Sequence, residues 1–186
     1  MSVGTISSFD NLQTSHGISG VLHKASALVG AEDFIANINR SKNIPYTFGT
    51  GAGKINQVVE IIFTVVKNTT TVLDLSGVVT NRVGDLLSTF TVVKFLKVEY
   101  LTVAQDATSG TASTATVTIK PGGSNPVTTS PLGAAEQFTL KPGAVLIWED
   151  ALTGFTVTAA TADTLDFVHS DNVLDAALRL TIFGEK

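Results

Sequence analysis

Cysteine is absent from this chain of 186 residues, and charged residues make up only 15% of it. The lack of cysteine excludes disulfides and thiolate zinc sites, so stability has to come from packing or from assembly. Charged residues usually account for about a quarter of a globular domain. Their scarcity here is unusual for a free monomer and suggests that part of the surface contacts other subunits.

Long apolar runs and basic patches are also missing. No stretch approaches the roughly 18 apolar residues of a membrane-spanning helix, and the first residues, MSVGTI, lack the basic and apolar regions of a signal peptide. We therefore expect a soluble protein that is made in a cytoplasm and has no membrane partner. The net charge of −4 and the pI of about 5.2 argue against a nucleic-acid partner, which would require a basic surface.

Alternation of apolar and polar residues dominates the chain from Gln57 onward. Phe155 and Val157, for example, alternate with Thr156 and Thr158, and a period of two places the apolar side chains on one face of a strand. Turn residues such as Pro and Gly separate the runs. The pattern predicts strands over Val58–Val66, Thr70–Leu75, Ser88–Val103, Thr114–Ile119, Glu136–Leu140, Ala144–Trp148, Gly154–Ala159, Thr164–Val168 and Leu174–Phe183.

About eight to ten strands with short connections predict an all-β fold, an antiparallel β-sandwich or jelly-roll-like domain. The longest run, Ser88–Val103, has apolar residues in both phases. This pattern indicates either a central strand covered on both faces or a bulge that changes the phase. We predict a core that contains Phe138, Leu140, Phe155, Val157, Leu165, Phe167, Leu178, Leu180 and Ile182.

Residues 1–56 have a different character, and we predict an N-terminal arm over 1–56 and the β-sandwich domain over 57–186. The spacing of apolar residues over Val21–Ile38 predicts one or two short helices, and Gly49–Lys54 reads as a glycine-rich linker. The first part of the arm is rich in Ser, Thr and Gly and carries scattered apolar residues. These candidate anchors for assembly are Val3, Ile6, Phe9, Leu12 and Ile18.

Catalytic and nucleotide-binding motifs do not emerge from the sequence. Gly49–Lys54 resembles a phosphate-binding loop, but its glycines are one residue too close and Ile55 follows the lysine. Glu149 and Asp150 are adjacent, so on a strand they point apart and make a poor pair for glycoside hydrolysis. Trp148 follows an apolar run and is expected to be packed rather than to serve as a sugar-binding platform.

Metal binding is likewise not expected. His16, His23 and His169 are far apart in sequence, and we interpret them as solvated or interface residues. A calcium site at Ser170–Asn172 is the weaker alternative to an ordinary turn. We expect that the protein is not an enzyme, and that it binds no cofactor, metal or small-molecule substrate.

Several short segments, in this order, resemble the small β-sandwich virion proteins of tailed bacteriophages. The resemblance covers Val58–Gly184 and rests on the order of weak motifs rather than on any one of them. The segments are Val72–Gly77 (VLDLSG), Val93–Glu99 (VKFLKVE), Leu140–Ile147 (LKPGAVLI), Gly154–Thr158 (GFTVT), Ala162–Leu165 (ADTL) and Leu178–Gly184 (LRLTIFG).

The resemblance implies a structural protein of the virion, a capsid decoration or cement protein that binds and stabilises the head shell. Its partners would be sister subunits, as a homo-oligomer expected to be a trimer, and the major capsid protein or other virion subunits. Two alternatives stay open. One is a tail, collar or fibre-base subunit of the virion, and the other is a carbohydrate-binding or adhesin module.

Overall fold

The structure is a computed structural model that describes residues 13–24, 34–77, 79–80, 86–87, 89–101, 115–127, 136–171 and 174–186. These ranges contain strands, turns and irregular segments and no helix, so the described fold is all-β. The strands, in chain order, are β1 (Gln13–Lys24), β2 (Phe34–Pro45), β3 (Thr47–Phe48), β4 (Lys54–Ile55), β5 (Gln57–Val65), β6 (Thr70–Asp74), β7 (Val79–Thr80), β8 (Leu86–Leu87), β9 (Val92–Tyr100), β10 (Val117–Pro121), β11 (Phe138–Leu140), β12 (Val145–Glu149), β13 (Phe155–Thr156), β14 (Thr164–His169) and β15 (Ala176–Glu185).

Two antiparallel sheets form the body of the protein. One has the order β12-β9-β15-β5, and the short strand β13 also pairs with β9. The other has the order β11-β10-β14-β6. If these eight strands are renumbered from 1 to 8 in chain order, the first sheet has the order 6-3-8-1 and the second sheet has the order 5-4-7-2. Six of the seven connections between them therefore pass from one sheet to the other.

The apolar faces of the two sheets share one core. Phe63 of β5 meets Phe167 of β14 with ring centroids 5.0 Å apart. The alternation in the sequence explains which side chains are buried: on β15, Leu178, Leu180 and Ile182 are fully buried while the residues between them are partly exposed. All nine strands predicted from Val58 onward overlap an observed strand, although only Phe155–Thr156 of Gly154–Ala159 is regular strand.

A second, smaller apolar cluster lies on the outer face of the sheet that contains β9. Phe95 and Phe183 stack at 4.8 Å, and Tyr46 meets Phe183 edge-on at 5.9 Å. Ile55 completes the cluster and is fully buried. At this end β9 is covered on both faces, and its register with β15 also shifts between Phe183 and Gly184. The run Ser88–Val103 therefore has apolar residues in both phases for both of the expected reasons, burial on two faces and a bulge.

The structure describes the two ends of the range Val21–Ile38, and both are strands rather than the predicted helices. β1 and β2 instead pair along their whole length, from Gln13 opposite Pro45 to Lys24 opposite Phe34. Short apolar runs fit a strand as well as a helix, and pairing satisfies the backbone groups with which the two segments face each other. Residues 25–33, between the two strands, lie outside the described residues.

The boundary between residues 56 and 57 stays a prediction. Tyr46 and Ile55, on the arm side of it, belong to the apolar cluster on the outer face of the sheet. The backbone N–H of Gly53 donates to the carbonyl of Ala151 at 2.8 Å. The last part of the predicted linker is therefore packed against the body rather than suspended from it.

Of the nine predicted core residues, eight are buried and one is not. The prediction for Phe138 is wrong, since its side chain is 39% exposed. Phe138 opens β11, a strand of three residues at the edge of its sheet, where the described residues supply only one neighbouring strand. The buried residues are Leu140, Phe155, Val157, Leu165, Phe167, Leu178, Leu180 and Ile182.

Phe155→Ala tests the core. The ring is 1% exposed and lies 4.9 Å from the Trp148 ring, so its removal should leave a cavity and cost about 3–5 kcal/mol. Urea unfolding measures the change. Ile62→Ala is the control, because its side chain is 41% exposed and its loss should cost less than about 1 kcal/mol. Equal stability of the two variants would contradict the assignment.

Candidate functional site

The glycine-rich segment Gly49–Lys54 forms a tight loop between β3 and β4, which pair in parallel. Thr47 N–H donates to the Gly53 carbonyl at 3.1 Å, and Gly49 N–H donates to the Ile55 carbonyl at 2.9 Å. Gly51 and Gly53 have φ of 100° and 69°, a region that glycine enters without steric cost. The loop joins two strands, and so it lacks the helix that follows a phosphate-binding loop.

A buried ion pair holds this loop. Lys94 is 1% exposed, and its Nζ lies 2.6 Å from Oε1 of Glu185. The same Nζ donates to the carbonyl of Gly51, whose backbone N–H donates to the Glu185 carboxylate at 2.9 Å. Gly51 thus supplies one acceptor and one donor to the pair. The Glu185 carboxylate thus already accepts the hydrogen bond of the Gly51 N–H, the loop group that a bound anion would use.

The ion pair lies at an irregularity in the central strands. Phe95 faces Phe183 and Val93 faces Gly184, so Lys94 has no residue opposite it on β15. Two residues of β9 against one of β15 is the arrangement of a β-bulge, which redirects a side chain from its regular alternation. Gly184 is required here, because a Cβ would lie 2.2 Å from the carbonyl oxygen of Val92.

A second polar junction ties the start of β1 to the end of β12. The Glu149 Oε1 atom accepts hydrogen bonds from Thr14 Oγ1 at 2.5 Å and from Tyr46 Oη at 2.6 Å. Burial, and then the hydrogen bond to Glu149, raise the pKa of Tyr46 far above its usual range, and the charges of Glu149 and Asp150 add to the effect. Tyr46 therefore stays neutral and donates to the carboxylate.

Three further acidic residues make local structural bonds. Asp150 Oδ1 accepts the N–H groups of Leu152 and Thr153, both at 3.1 Å. Asp163 Oδ2 accepts Ala160 N–H at 2.6 Å, and Asp166 Oδ2 accepts Gly123 N–H at 3.0 Å. Each of these residues therefore fixes a turn or a loop.

No group of three or more His, Asp or Glu side chains within the described ranges could hold a metal ion. His169 is buried between the carbonyl oxygens of Thr116, at 3.2 Å, and Leu174, at 2.9 Å. Asp171 Oδ1 accepts Leu174 N–H at 3.3 Å. The side chains of His16 and His23, and residue Asn172, lie outside the described part, as do the predicted anchors Val3, Ile6, Phe9 and Leu12 and the side chain of Ile18.

The open end of the outer face is an amphipathic surface. Val145, Glu99, Arg179 and Ile62 lie opposite one another across β12, β9, β15 and β5. Val145 is 49% exposed, while Glu99 contacts Arg179 at 3.3 Å and Lys97 at 2.9 Å. The hydrogen bond from Lys97, above all, lowers the pKa of Glu99. The row therefore has apolar ends and a charged centre.

Local sequence pattern gives little indication of the two polar junctions. Lys94 sits in an apolar run, where a buried lysine is the rare case. Glu149 was weighed as half of a carboxylate pair, but its partners are a threonine and a tyrosine more than 100 residues away in sequence. The one available signal was the position of Lys94 in the same phase as Leu96, Val98 and Tyr100, whereas Lys97 and Glu99 are in the opposite phase.

Lys94→Met should destabilise the protein by about 3–5 kcal/mol, because it leaves the Glu185 carboxylate buried without its cation. Urea unfolding of this variant, of Glu185→Gln and of the double variant gives the coupling between the two side chains. The double variant should cost clearly less than the sum of the single changes. Additive effects would contradict a direct ion pair.

Tyr46→Phe should cost about 1.5–3 kcal/mol at neutral pH, since it removes a hydrogen bond to a carboxylate. In the unfolded chain a tyrosine loses its proton near pH 10, roughly its unperturbed pKa. The folded protein retains the Tyr46 proton, so wild-type stability should fall as the pH rises past this point, and the fall should be smaller in the variant. Urea unfolding at neutral and alkaline pH, repeated in the Glu149→Gln background, measures both effects. An identical pH dependence in wild type and variant would contradict the junction.

Comparison of the chain with protein-family models, with curated proteins and with solved structures gave no match. Within the described residues no helix is long and apolar enough to cross a membrane. The resemblance to phage virion proteins therefore stays a prediction, and a function has to be argued from strand order, surfaces and buried contacts.

Proposed function

We propose that this chain is a non-enzymatic structural subunit of a virus particle, with a jelly-roll β-sandwich as its body and an N-terminal assembly arm. The observation that carries the proposal is the strand order 6-3-8-1 and 5-4-7-2 in the two sheets. An eight-strand jelly roll has this order, with its strands alternating between two facing sheets. Viral capsid domains, lectins and cupins use this architecture.

Fold alone does not determine function, so the choice among these classes needs a second observation. The hairpin of β1 and β2 supplies it. Its strands contain Lys24, Arg40 and Lys42 and none of the 16 acidic residues of the chain. The connection between the two strands adds Glu32 and Asp33, so residues 13–45 carry three basic and two acidic residues and a net charge of +1, against −4 for the whole chain. This asymmetry favours contact between the hairpin and acidic neighbouring subunits.

The hairpin is also a structure that gains from a partner. β1 and β2 form a sheet of two strands, 12 residues each. A two-stranded hairpin is at best marginally stable alone in water, so a covering partner would add much of its stability. Contacts of this kind, repeated by the symmetry of an oligomer and of a shell, give tight attachment without any single strong site.

Within the virion, the role we propose is a head decoration or cement protein, active as a homo-oligomer, with a trimer expected, on the major capsid protein. A tail, collar or fibre-base subunit would use the same contacts. The jelly roll also leaves a lectin-like module as the alternative from another class. Against it, Trp148 is half-buried and packs on Phe155 instead of offering a flat exposed ring.

A charge variant tests the assembly role. Lys24→Gln, Arg40→Gln and Lys42→Gln together should weaken self-association and co-sedimentation with undecorated shells by at least tenfold, because three cationic contacts per subunit are lost. Sedimentation velocity and pelleting assays measure the two effects. The matched control carries Lys67→Gln, Lys141→Gln and Lys186→Gln, three exposed lysines of the body.

Both variants should unfold at the same urea concentration as the wild type. Loss of binding in the control alone, or in neither variant, would contradict an arm that acts through its charge. A monomeric wild type that binds defined sugars on a glycan array would establish the lectin-like alternative instead.

A further inference from the structure

The carboxylate of Asp163, immediately before β14, is buried and only one of its oxygens is bonded. Asp163 is 3% exposed, and its Oδ2 accepts Ala160 N–H at 2.6 Å and Ser76 Oγ–H at 2.9 Å. Its Oδ1 is also buried and has no hydrogen-bond partner in the described part of the chain. A buried carboxylate oxygen without a partner is costly, because burial removes the water that would solvate it. This oxygen therefore points to a ligand that carries positive charge.

A second carboxylate lies beside this one. Asp74, the last residue of β6, pairs with Thr164, the residue that follows Asp163. The Ser76 hydroxyl joins the two carboxylates, since its Oγ lies 2.9 Å from Asp74 Oδ1 and 2.9 Å from Asp163 Oδ2. A hydroxyl has one proton to donate, and an ionised carboxylate has none. Two negative charges therefore share a single hydroxyl proton, and they repel each other.

The chain orients Asp74 so that its second oxygen is left available. Asp74 Oδ1 accepts the N–H groups of Ser76 at 2.9 Å and Gly77 at 2.8 Å, whereas Oδ2 accepts no hydrogen bond from the described residues. Gly77 leaves space beside Oδ2, because a Cβ at this position would lie 2.8 Å from it. None of the lysines and arginines that the structure describes forms an ion pair with Asp74 or Asp163.

We propose that Asp163, Asp74 and Ser76 bind a hard divalent cation, calcium, at this corner between β6 and β14. Calcium takes oxygen ligands, and carboxylates, carbonyls and water together complete its coordination. No third acidic or histidine side chain of the described ranges joins the pair, so we expect a weak site with a Kd of about 10⁻⁴–10⁻³ M. The ion balances the two charges and holds the end of β6 to the start of β14.

This site departs from the expectation that the chain binds no metal. Sequence pattern does not reveal it, because Ser76 and Asp163 are 87 residues apart. The proposal does not rest on the proposed function, since a calcium ion at this corner would stabilise the body in a virion subunit and in a lectin-like module alike.

Titration of the full chain with calcium chloride, followed by NMR, tests the proposal. The amides of Ser76, Gly77 and Ala160 donate to the two carboxylates, so their signals should shift along one saturable curve. Calcium at about 10 mM should also raise the urea midpoint, because the ion binds only the folded chain. Asp74→Asn and Asp163→Asn should each weaken the affinity by about tenfold, since each removes one of the two charges.

Asp166→Asn is the matched control. Asp166 is 6% exposed, its Oδ1 is also buried without a partner among the described residues, and its Oδ2 accepts the N–H of Gly123. It thus shares the burial of Asp163 without the bridge to Asp74, and the variant should retain the calcium affinity. Asp74 is exposed, so Asp74→Asn tests the site even if Asp163→Asn does not fold.

The opposite results would overturn the proposal. Amide signals that do not shift up to about 10 mM calcium would mean that the corner holds no such ion. Unchanged affinity in Asp74→Asn, or equal losses in Asp74→Asn and Asp166→Asn, would remove the assignment to this pair. Sodium chloride at the same ionic strength should leave the three amides unshifted, and an equal shift would reduce the effect to charge screening.

Discussion

The buried ion pair of Lys94 and Glu185 is the contact on which the outer half of the structure depends. Two charges removed from water are stable only when their remaining hydrogen-bonding capacity is met. Gly51 meets it with its carbonyl and its N–H, so the glycine-rich loop has to lie at this position. The loop in turn places Ile55 against Phe95 and Phe183. A motif that resembles a nucleotide-binding loop is therefore a structural clamp.

A series of contacts connects this clamp to the N-terminal hairpin. Tyr46 packs against Phe183 and donates to Glu149, and Glu149 accepts the hydrogen bond of Thr14 at the base of β1. One end of the outer sheet face is thus covered by the chain itself, and the other end stays open around Ile62 and Val145. This division gives the hairpin a fixed point of attachment on the body.

The body was predictable from the sequence because alternation decides which residues are buried once two sheets face each other. Leu178, Leu180 and Ile182 were identified in this way. Phe138 shares the alternation but lies at the end of an edge strand, where its side chain is 39% exposed. The helices expected within Val21–Ile38 show a second limit, because a short apolar run is compatible with both the helical and the strand period. Lys94 and Glu149 show a third, because a buried polar contact depends on partners distant in sequence, which local pattern does not reveal.

The polar contacts across the described part of the chain perform a task that disulfides perform in many small β proteins. Thr14 and Tyr46 with Glu149, Lys94 with Glu185, and His169 with Thr116 each join segments far apart in sequence. Unlike a disulfide, such a contact stabilises only the folded state and does not restrict the unfolded chain. It also requires exclusion of water, so each contact depends on the apolar residues around it. In a chain without cysteine, the long-range contacts therefore form together with the core and are lost with it, which favours cooperative folding of the body.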